Sequence, residues 1–247
     1  MSDLTLSTTL IPFDNALSKG GGGYYAAKRT LDVVVATILL VMTIPLFVGI
    51  VLAIKLDDRG PAFFSQERLR GRRARTRGGR TWVVQPFTMY KFRTMRSDAD
   101  IAPHREYMAA YVSGDEARLK ALRPGRQRWE SYRPAADPRV TRAGRVLRRL
   151  SLDELPQLLN VLRGDMSLVG PRPPLPYELD LYRERYRLRL ASRPGMTGWA
   201  QVRGRTSIGM ADTVRLDLEY IALRSFSLDL KILALTVPVV LLRRGAD

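Results

Sequence analysis

The stretch Val33-Val34-Val35-Ala36-Thr37-Ile38-Leu39-Leu40-Val41-Met42-Thr43-Ile44-Pro45-Leu46-Phe47-Val48-Gly49-Ile50-Val51-Leu52-Ala53-Ile54 is 22 residues without a charge. A straight helix of that length reaches roughly 33 Å, about the thickness of one hydrocarbon core. A buried helix of a soluble protein is the plainer alternative. Ile44-Pro45 falls mid-block, where proline removes a backbone hydrogen bond and kinks a helix. Both flanks are basic: Lys28 and Arg29 before, Lys55 and Arg59 after. Basic flanks favour the cytoplasmic side. Two of them suit a helix that enters the bilayer, bends at Pro45 and returns. A tilted, kinked full span fits the same residues, and these features alone leave the two open.

Upstream, residues 1–19 are weakly patterned, and Gly20 to Gly23 read as a hinge. No small-residue cleavage site follows the apolar block, so it does not read as a cleaved signal peptide. Downstream, Asp58-Arg59-Gly60-Pro61 is a turn signal. Ala62–Gln66, Trp82–Phe87 and Thr88–Phe92 read as strand pieces, and Arg70–Arg80 between them as a basic loop facing solvent or lipid. Residues 97–135 are polar and partly helical in pattern. Leu152–Leu162, Tyr177–Leu190 and Asp212–Leu223 read as helices, and Pro194–Gly198 as a tight turn. Leu228–Leu242 is apolar but only 15 residues long, and it carries Asp229, Lys231 and Pro238. It reads as an interfacial helix. There is no internal repeat. The expected class is α+β, predominantly helical. Residues 1–27 form a flexible N-terminal segment, 28–59 the membrane helix, and 60–247 a catalytic domain with interfacial helices.

A chain of 247 residues is long enough to bury a core. Its net charge is +17, and 35 of its 41 basic residues are Arg. Arginine binds phosphate bidentately, so the chain suits polyanions: nucleic acid, anionic headgroups or phosphorylated small molecules. The absence of Cys excludes disulfides and thiolate chemistry and argues against a zinc site. The single histidine, His104, sits in a polar run and reads as an exposed surface residue. Acid–base work then falls to carboxylates.

Leu150-Ser151-Leu152-Asp153-Glu154-Leu155-Pro156-Gln157 is the most informative stretch for chemistry. Ser151 and Glu154 match a capping box, which is the structural explanation. A register with Pro156 at the first helical position is the alternative. Either way Asp153 and Glu154 lie near the positive end of a helix, which favours ionised carboxylates. An ionised Asp can attack phosphorus, and a neighbouring Glu can offer oxygen to Mg²⁺. Arg139, Arg142, Arg145, Arg148 and Arg149 precede the pair. Gly170-Pro171-Arg172-Pro173 and Gly198-Trp199-Ala200-Gln201-Val202-Arg203-Gly204-Arg205 follow it, and Lys91, Arg93 and Arg96 add cations. Rigid turns carrying Arg suit phosphoryl transfer, which depends on positioning and charge neutralisation.

These motifs, taken in order from Lys28 to the C-terminus, resemble the bacterial sugar transferases, the monotopic polyprenyl-phosphate phosphoglycosyl transferases. The matching elements are Lys28-Arg29 with Asp32, Gly60-Pro61, Gln66-Glu67-Arg68, Tyr90 to Met95 and Asp137 to Thr141. The run from Ser151 to Gln157 follows, then Asn160 to Pro173 and Pro194 to Val202. The resemblance implies a re-entrant helix broken at Pro45. It makes Asp153 the nucleophile and Glu154 its Mg²⁺-binding neighbour. Asp153 is expected to attack the β-phosphorus of a UDP-sugar and release UMP. Undecaprenyl phosphate then takes the sugar phosphate from Asp153. Lys91, Arg148 and Arg172 match basic positions of the site. Gln201, Arg203 and Arg205 fall near the nucleotide or phosphate, where Arg93 is a further candidate.

The Arg70–Trp82 segment is longer and more basic than the family pattern, and the 97–136 segment resembles members acting on hexoses. The chain looks like the minimal catalytic unit of the family. The implied location is the bacterial inner membrane, with the catalytic domain facing the cytoplasm, membrane lipids as surroundings and a homodimer as an option. A nucleic-acid binder would explain the charge but neither the apolar block nor Asp153-Glu154, so no nucleic-acid partner is expected. A non-catalytic scaffold of polysaccharide assembly would leave the acidic pair unexplained.

Overall fold

In the computed structural model, helix α1 (Gly22–Asp57) contains the whole apolar block and runs on through Pro45. The structure describes residues 10–11, 21–76, 79–96, 102–122, 137, 139–204 and 208–241. At 1.5 Å per residue, the 36 residues of α1 span about 54 Å, more than a hydrocarbon core. The helix starts inside the glycine run that reads as a hinge. Its first turns are fastened instead. The Tyr24 hydroxyl donates to Asp229 at 3.0 Å, and Lys28 Nζ pairs with the same carboxylate at 3.0 Å. Arg29 donates to the carbonyls of Val161 and Leu162, both at 2.6 Å.

Both ends of α1 pack on one domain. Toward its start, Asp32 is 1% exposed and accepts from Ser167 Oγ and the Leu168 N–H. Toward its end, Ile50 and Ile54 join Ala62, Phe92 and Leu147 in a cluster. Phe47 meets the Phe92 ring edge-on at 4.9 Å. The middle stands clear: Val41 is 60% and Met42 73% exposed. Only 11% of the most apolar window is buried, so α1 is no soluble-core helix. It is the one helix among the described residues long and apolar enough to cross a membrane, and its bare surface suits lipid. Two residues before Pro45, the Thr43 hydroxyl donates back to the Leu39 carbonyl at 2.7 Å, a contact that favours bending.

Next comes a three-stranded antiparallel sheet of β1 (Leu10–Ile11), β3 (Gly79–Phe92) and β2 (Phe63–Thr76), in that order. Strands β2 and β3 pair from Phe63↔Phe92 to Thr76↔Gly79. The arginine-rich segment that reads as a loop is therefore mostly paired strand, and β1 places part of the N-terminal segment on the sheet. Polar residues fill these strands because they have partners. Leu69 is fully buried, and Arg68 donates to the Pro173 carbonyl at 3.1 Å. Arg70 pairs with Asp165 at 2.6 Å, and Arg73 lies 3.8 Å over the Tyr25 ring. Gly71 passes so close to the backbone of Leu190 and Ser192 that a Cβ has no room.

The rest is mostly helical: α2 (Ala102–Ser113), α3 (Glu116–Ala121), α4 (Arg142–Arg149), α5 (Gln157–Arg163), α6 (Pro176–Leu181), α7 (Glu184–Arg187), α8 (Trp199–Arg203), α9 (Met210–Leu223) and α10 (Phe226–Leu241). Strands β4 (Ser167–Val169) and β5 (Gly195–Thr197) form a parallel pair where a tight turn was expected. The expected single helix over Tyr177–Leu190 breaks at Tyr182 and Arg183, both extended. That break lets the Tyr182 side chain turn inward, where it is 4% exposed and receives Arg189 Nη1 at 3.0 Å. The main core joins Leu158, Val161 and Met166 to Trp199, Tyr220 and Ile232.

Candidate active site

Asp153 and Glu154 sit in a 3-10 turn, Leu152–Glu154, between α4 and α5. The capping-box explanation fails here. Ser151 makes no side-chain cap hydrogen bond and holds a left-handed backbone, φ 55°. It is the one non-glycine residue with positive φ among the described residues. For a serine this costs on the order of 1–2 kcal/mol, and such strain gathers at functional turns. Ser151 sharply redirects the chain, so the pair leaves the helical path. Asp153 is 7% exposed.

Lys91 reaches the pair from the end of β3. Its neighbour Phe92 is 1% exposed in the core, and strand alternation turns Lys91 to the other face. Lys91 Nζ lies 2.8 Å from Glu154 Oε1 and 3.9 Å from Asp153 Oδ2. The structure thus brings together three of the sequence candidates. A fourth, Arg148, donates from Nε to Thr94 Oγ1 at 2.9 Å. Thr94 is fixed in turn: its carbonyl receives the Thr141 N–H at 3.1 Å and crowds Gly144, where a Cβ has no room.

Asp137 lies within the field of Arg148. Asp137 accepts Arg139 Nε at 2.9 Å and Nη2 at 2.8 Å, a bidentate pair. The Arg139 hydrogen bond holds the Asp137 carboxyl below the usual range, and Arg148 adds to the effect. The proline-rich turn after β4 is clamped. The Gly195 N–H donates to the Pro171 carbonyl and the Leu69 N–H to the Pro174 carbonyl, both at 2.9 Å. Arg172 stands exposed at its crest. Arg68 is pushed down to about 10 by burial and then by the field of Arg172, with Glu178, Tyr177 and Glu154 partly offsetting both. Arg68 is buried and held on the Pro173 carbonyl at 3.1 Å, whereas Arg172 keeps an exposed side chain.

His104 is partly buried, contrary to the surface expectation, and its Nδ1 lies 2.7 Å from the Tyr177 hydroxyl. Burial first, then Arg172, Arg68 and Arg139, pushes its pKa down to about 4. The folded state therefore binds fewer protons here than the unfolded chain between about 4 and 6.5. The stability this group contributes is full above pH 6.5 and is lost as pH falls through about 4. Imidazole NMR is expected to show a neutral ring at pH 5.5; a titration midpoint near 6.5 would contradict this environment.

Other candidates lie elsewhere. Arg93, expected as a phosphate contact, is instead 5% exposed and paired with Asp58 at 3.0 Å. It also donates to the Asp58 carbonyl at 2.8 Å and fills the space over Gly60, fastening the chain that leaves α1. Gln201 and Arg203 project from α8, where Arg203 sits 4.3 Å over the Trp199 ring. Arg205 lies outside the described residues. Reasoning from the sequence assigned no role to Thr94, Arg68, Asp137 or Tyr177, and it named Arg139 only as one of the arginines preceding the acidic pair. Thr94, Arg68, Asp137 and Arg139 fall in quoted family motifs, which was the available signal.

No cluster of three or more His, Cys, Asp or Glu side chains forms a metal cage among the described residues. Two adjacent carboxylates nevertheless fit Mg²⁺, which commonly takes one or two protein carboxylates and completes its shell with water and substrate phosphates.

The family described as bacterial sugar transferase matches residues 23–243. The exopolysaccharide production protein ExoY of Rhizobium meliloti is 38% identical over 244 residues, covering 97% of this chain and 96% of that protein. The UDP-glucose:undecaprenyl-phosphate glucose-1-phosphate transferase of Caulobacter vibrioides is 42% identical over 224 residues, 87% of this chain and 69% of that protein. The undecaprenyl-phosphate galactose phosphotransferase of Salmonella typhimurium is 35% identical over 238 residues, 96% of this chain and 44% of that protein. With the match running from the first turn of α1 past the end of α10, this chain is an enzyme that belongs to the bacterial sugar transferase family.

Proposed function

We propose that the chain transfers a sugar-1-phosphate from a UDP-sugar to undecaprenyl phosphate. The products are UMP and undecaprenyl-diphosphate-sugar, the first lipid-linked intermediate of an exopolysaccharide, capsule or O-antigen. The observation that carries this reading is Asp153 beside Glu154, with Lys91 at 3.9 and 2.8 Å. The relatives whose names specify glucose and galactose support a hexose.

In the first step a carboxylate oxygen of Asp153 attacks the β-phosphorus of the donor. One O–P bond forms, the bond to UMP breaks, and the sugar phosphate stays on Asp153. In the second, a phosphate oxygen of the lipid attacks that phosphorus and Asp153 leaves as carboxylate. An ionised carboxylate and an ionised phosphate attack phosphorus without a general base. This agrees with a histidine held neutral and bonded to Tyr177 rather than to the acidic pair. Lys91 orients Glu154 and limits repulsion between the two carboxylates and the incoming diphosphate. Arg148, Arg172 and Arg68 offset the charge of the phosphoryl oxygens. Glu154 and the donor phosphates would hold Mg²⁺, which supplies charge neutralisation for the departing UMP.

The membrane reading is that α1 enters the inner membrane, bends near Pro45 and returns, leaving the catalytic domain on the cytoplasmic face. It is supported by the packing of both helix ends on one domain, the exposed middle, and basic residues at both flanks. Exposed Phe63, Phe64, Phe226 and Leu230 extend the apolar surface beyond α1. A site at the interface meets a lipid phosphate and a water-soluble nucleotide without extracting the lipid.

The test is UMP release by the full chain in detergent with Mg²⁺, undecaprenyl phosphate and a panel of UDP-sugars. UDP-glucose or UDP-galactose is expected to release UMP over many turnovers only when the lipid phosphate is present, and at most one equivalent per chain without it. No release from any UDP-sugar would contradict the reading.

A further inference from the structure

The far end of the β2–β3 ribbon carries a second cationic centre. Trp82 precedes Lys91 by nine residues of β3, roughly 30 Å of strand at 3.3 Å per residue. There, a pocket of about 50 Å³ opens between the start of α1, the ribbon, the Ser192-Arg193 segment and Arg224. Five of its nine lining residues are cationic, namely Lys28, Arg29, Arg73, Arg193 and Arg224, and none is acidic.

The side chains are held in place rather than waving in solvent. Lys28 is anchored by Asp229 at 3.0 Å, and Arg29 by two carbonyls of α5 at 2.6 Å. Arg73 stacks on Tyr25 at 3.8 Å, and Arg224 lies 5.2 Å from Tyr25 and 5.7 Å from Trp82. A stacked guanidinium keeps its plane fixed and can still donate along its edge. Arg193 is held below its usual value by burial and then by Arg29, with Asp32 partly offsetting this and Arg70 and Arg73 adding to the crowding. Asp229 offsets Lys28 and Asp32 partly offsets Arg193, yet the five cations outnumber these carboxylates, and the remaining positive potential is one that an anion would relieve. The room amounts to several water positions, which suits a phosphate group.

The location says which phosphate. Lys28 is five residues before Val33, where the uncharged block begins, about 7.5 Å along the helix. Tyr and Trp, here Tyr24, Tyr25 and Trp82, are the aromatics that gather at the membrane–water interface. We infer that this pocket binds the phosphate of an anionic lipid headgroup, apart from the Asp153 site, and fixes the start of α1 at headgroup depth. The depth rests on the membrane reading of α1, whereas the phosphate chemistry does not. It gives the basic half of the ribbon a role that the transfer reaction does not supply.

The test titrates the full chain in neutral detergent with short-chain phosphatidylglycerol, phosphatidylcholine and inorganic phosphate. Binding is read as the Trp82 emission lost in a Trp82→Phe control. Phosphatidylglycerol is expected to saturate, and an Arg73→Gln/Arg193→Gln chain to bind it at least about tenfold more weakly, as loss of charge-assisted hydrogen bonds implies. UMP release by that variant should stay within about twofold of the parent, since neither residue serves Asp153. Equal saturation by inorganic phosphate would overturn the lipid and assign the pocket to free phosphate. Equal response to phosphatidylcholine, or unchanged binding by the variant, would overturn the pocket itself. Flotation with phosphatidylcholine vesicles separates the two layers: failure to float sinks the membrane reading and leaves the detergent result intact.

Discussion

An Asp153→Asn chain is expected to lose UMP release by at least about 10³-fold, the scale on which removing a covalent nucleophile acts. The amide is nearly the same shape but carries no charge, and its nitrogen does not displace UMP from phosphorus. The fold should survive. Lys91 keeps its 2.8 Å contact with Glu154 and lies 3.9 Å from Asp153, so the change strands no buried cation. Membrane association should persist too, because α1 is held by Tyr24, Lys28, Arg29 and Asp32, with Ile50 and Ile54 at its other end. Measured turnover near that of the parent would remove Asp153 from the chemistry.

The second large effect is on stability. Arg189 pairs with Asp217 at 2.6 Å, with the two side chains 6% and 2% exposed. Asp217→Ala leaves a guanidinium buried opposite an empty space, which costs roughly 3–5 kcal/mol. Arg189 still donates to Tyr182 at 3.0 Å, and Tyr182 to Glu178 at 3.2 Å, but neither neutralises it directly. At about 2–4 °C per kcal/mol for a chain of this size, the thermal midpoint should fall by roughly 6–20 °C. Thermal unfolding in detergent reads it, and a fall below about 2 °C would mean that Asp217 is not the partner that keeps Arg189 buried. The pair ties α9 to the segment after α7, far in sequence from Asp153, so this loss is expected in stability before chemistry.

The sequence made the apolar block legible because hydrophobicity is a local property, and α1 indeed contains it. Where the helix starts was not local. Tyr24, Lys28 and Arg29 find their partners more than 130 positions away, and those contacts carry the helix into glycines that alone suggest a hinge. The ribbon was misread for a related reason. Arginines on successive strand positions break the alternation that marks a half-buried strand. They are tolerated because Arg68, Arg70 and Arg73 meet a carbonyl, a carboxylate and an aromatic ring from distant segments. Ser151 and Glu154 have capping-box spacing, yet Ser151 takes a left-handed turn with no cap bond, so a local rule yields at the acidic pair. Lys91, Asp153 and Glu154 were legible as residue types and family motifs, and the structure adds that they touch. Arg93 and His104 were not, because Asp58 and Tyr177 lie 35 and 73 positions from them.

The central claim is that Asp153 carries the sugar phosphate covalently between donor and lipid. Its most direct measurement is intact-protein and peptide mass spectrometry after the chain meets a UDP-hexose and Mg²⁺ without undecaprenyl phosphate, followed by an acid quench. One hexosyl-phosphate increment on the peptide bearing Asp153, discharged when undecaprenyl phosphate is added, is the predicted result. A chain that releases UMP at full rate with both substrates yet never carries that increment would contradict it.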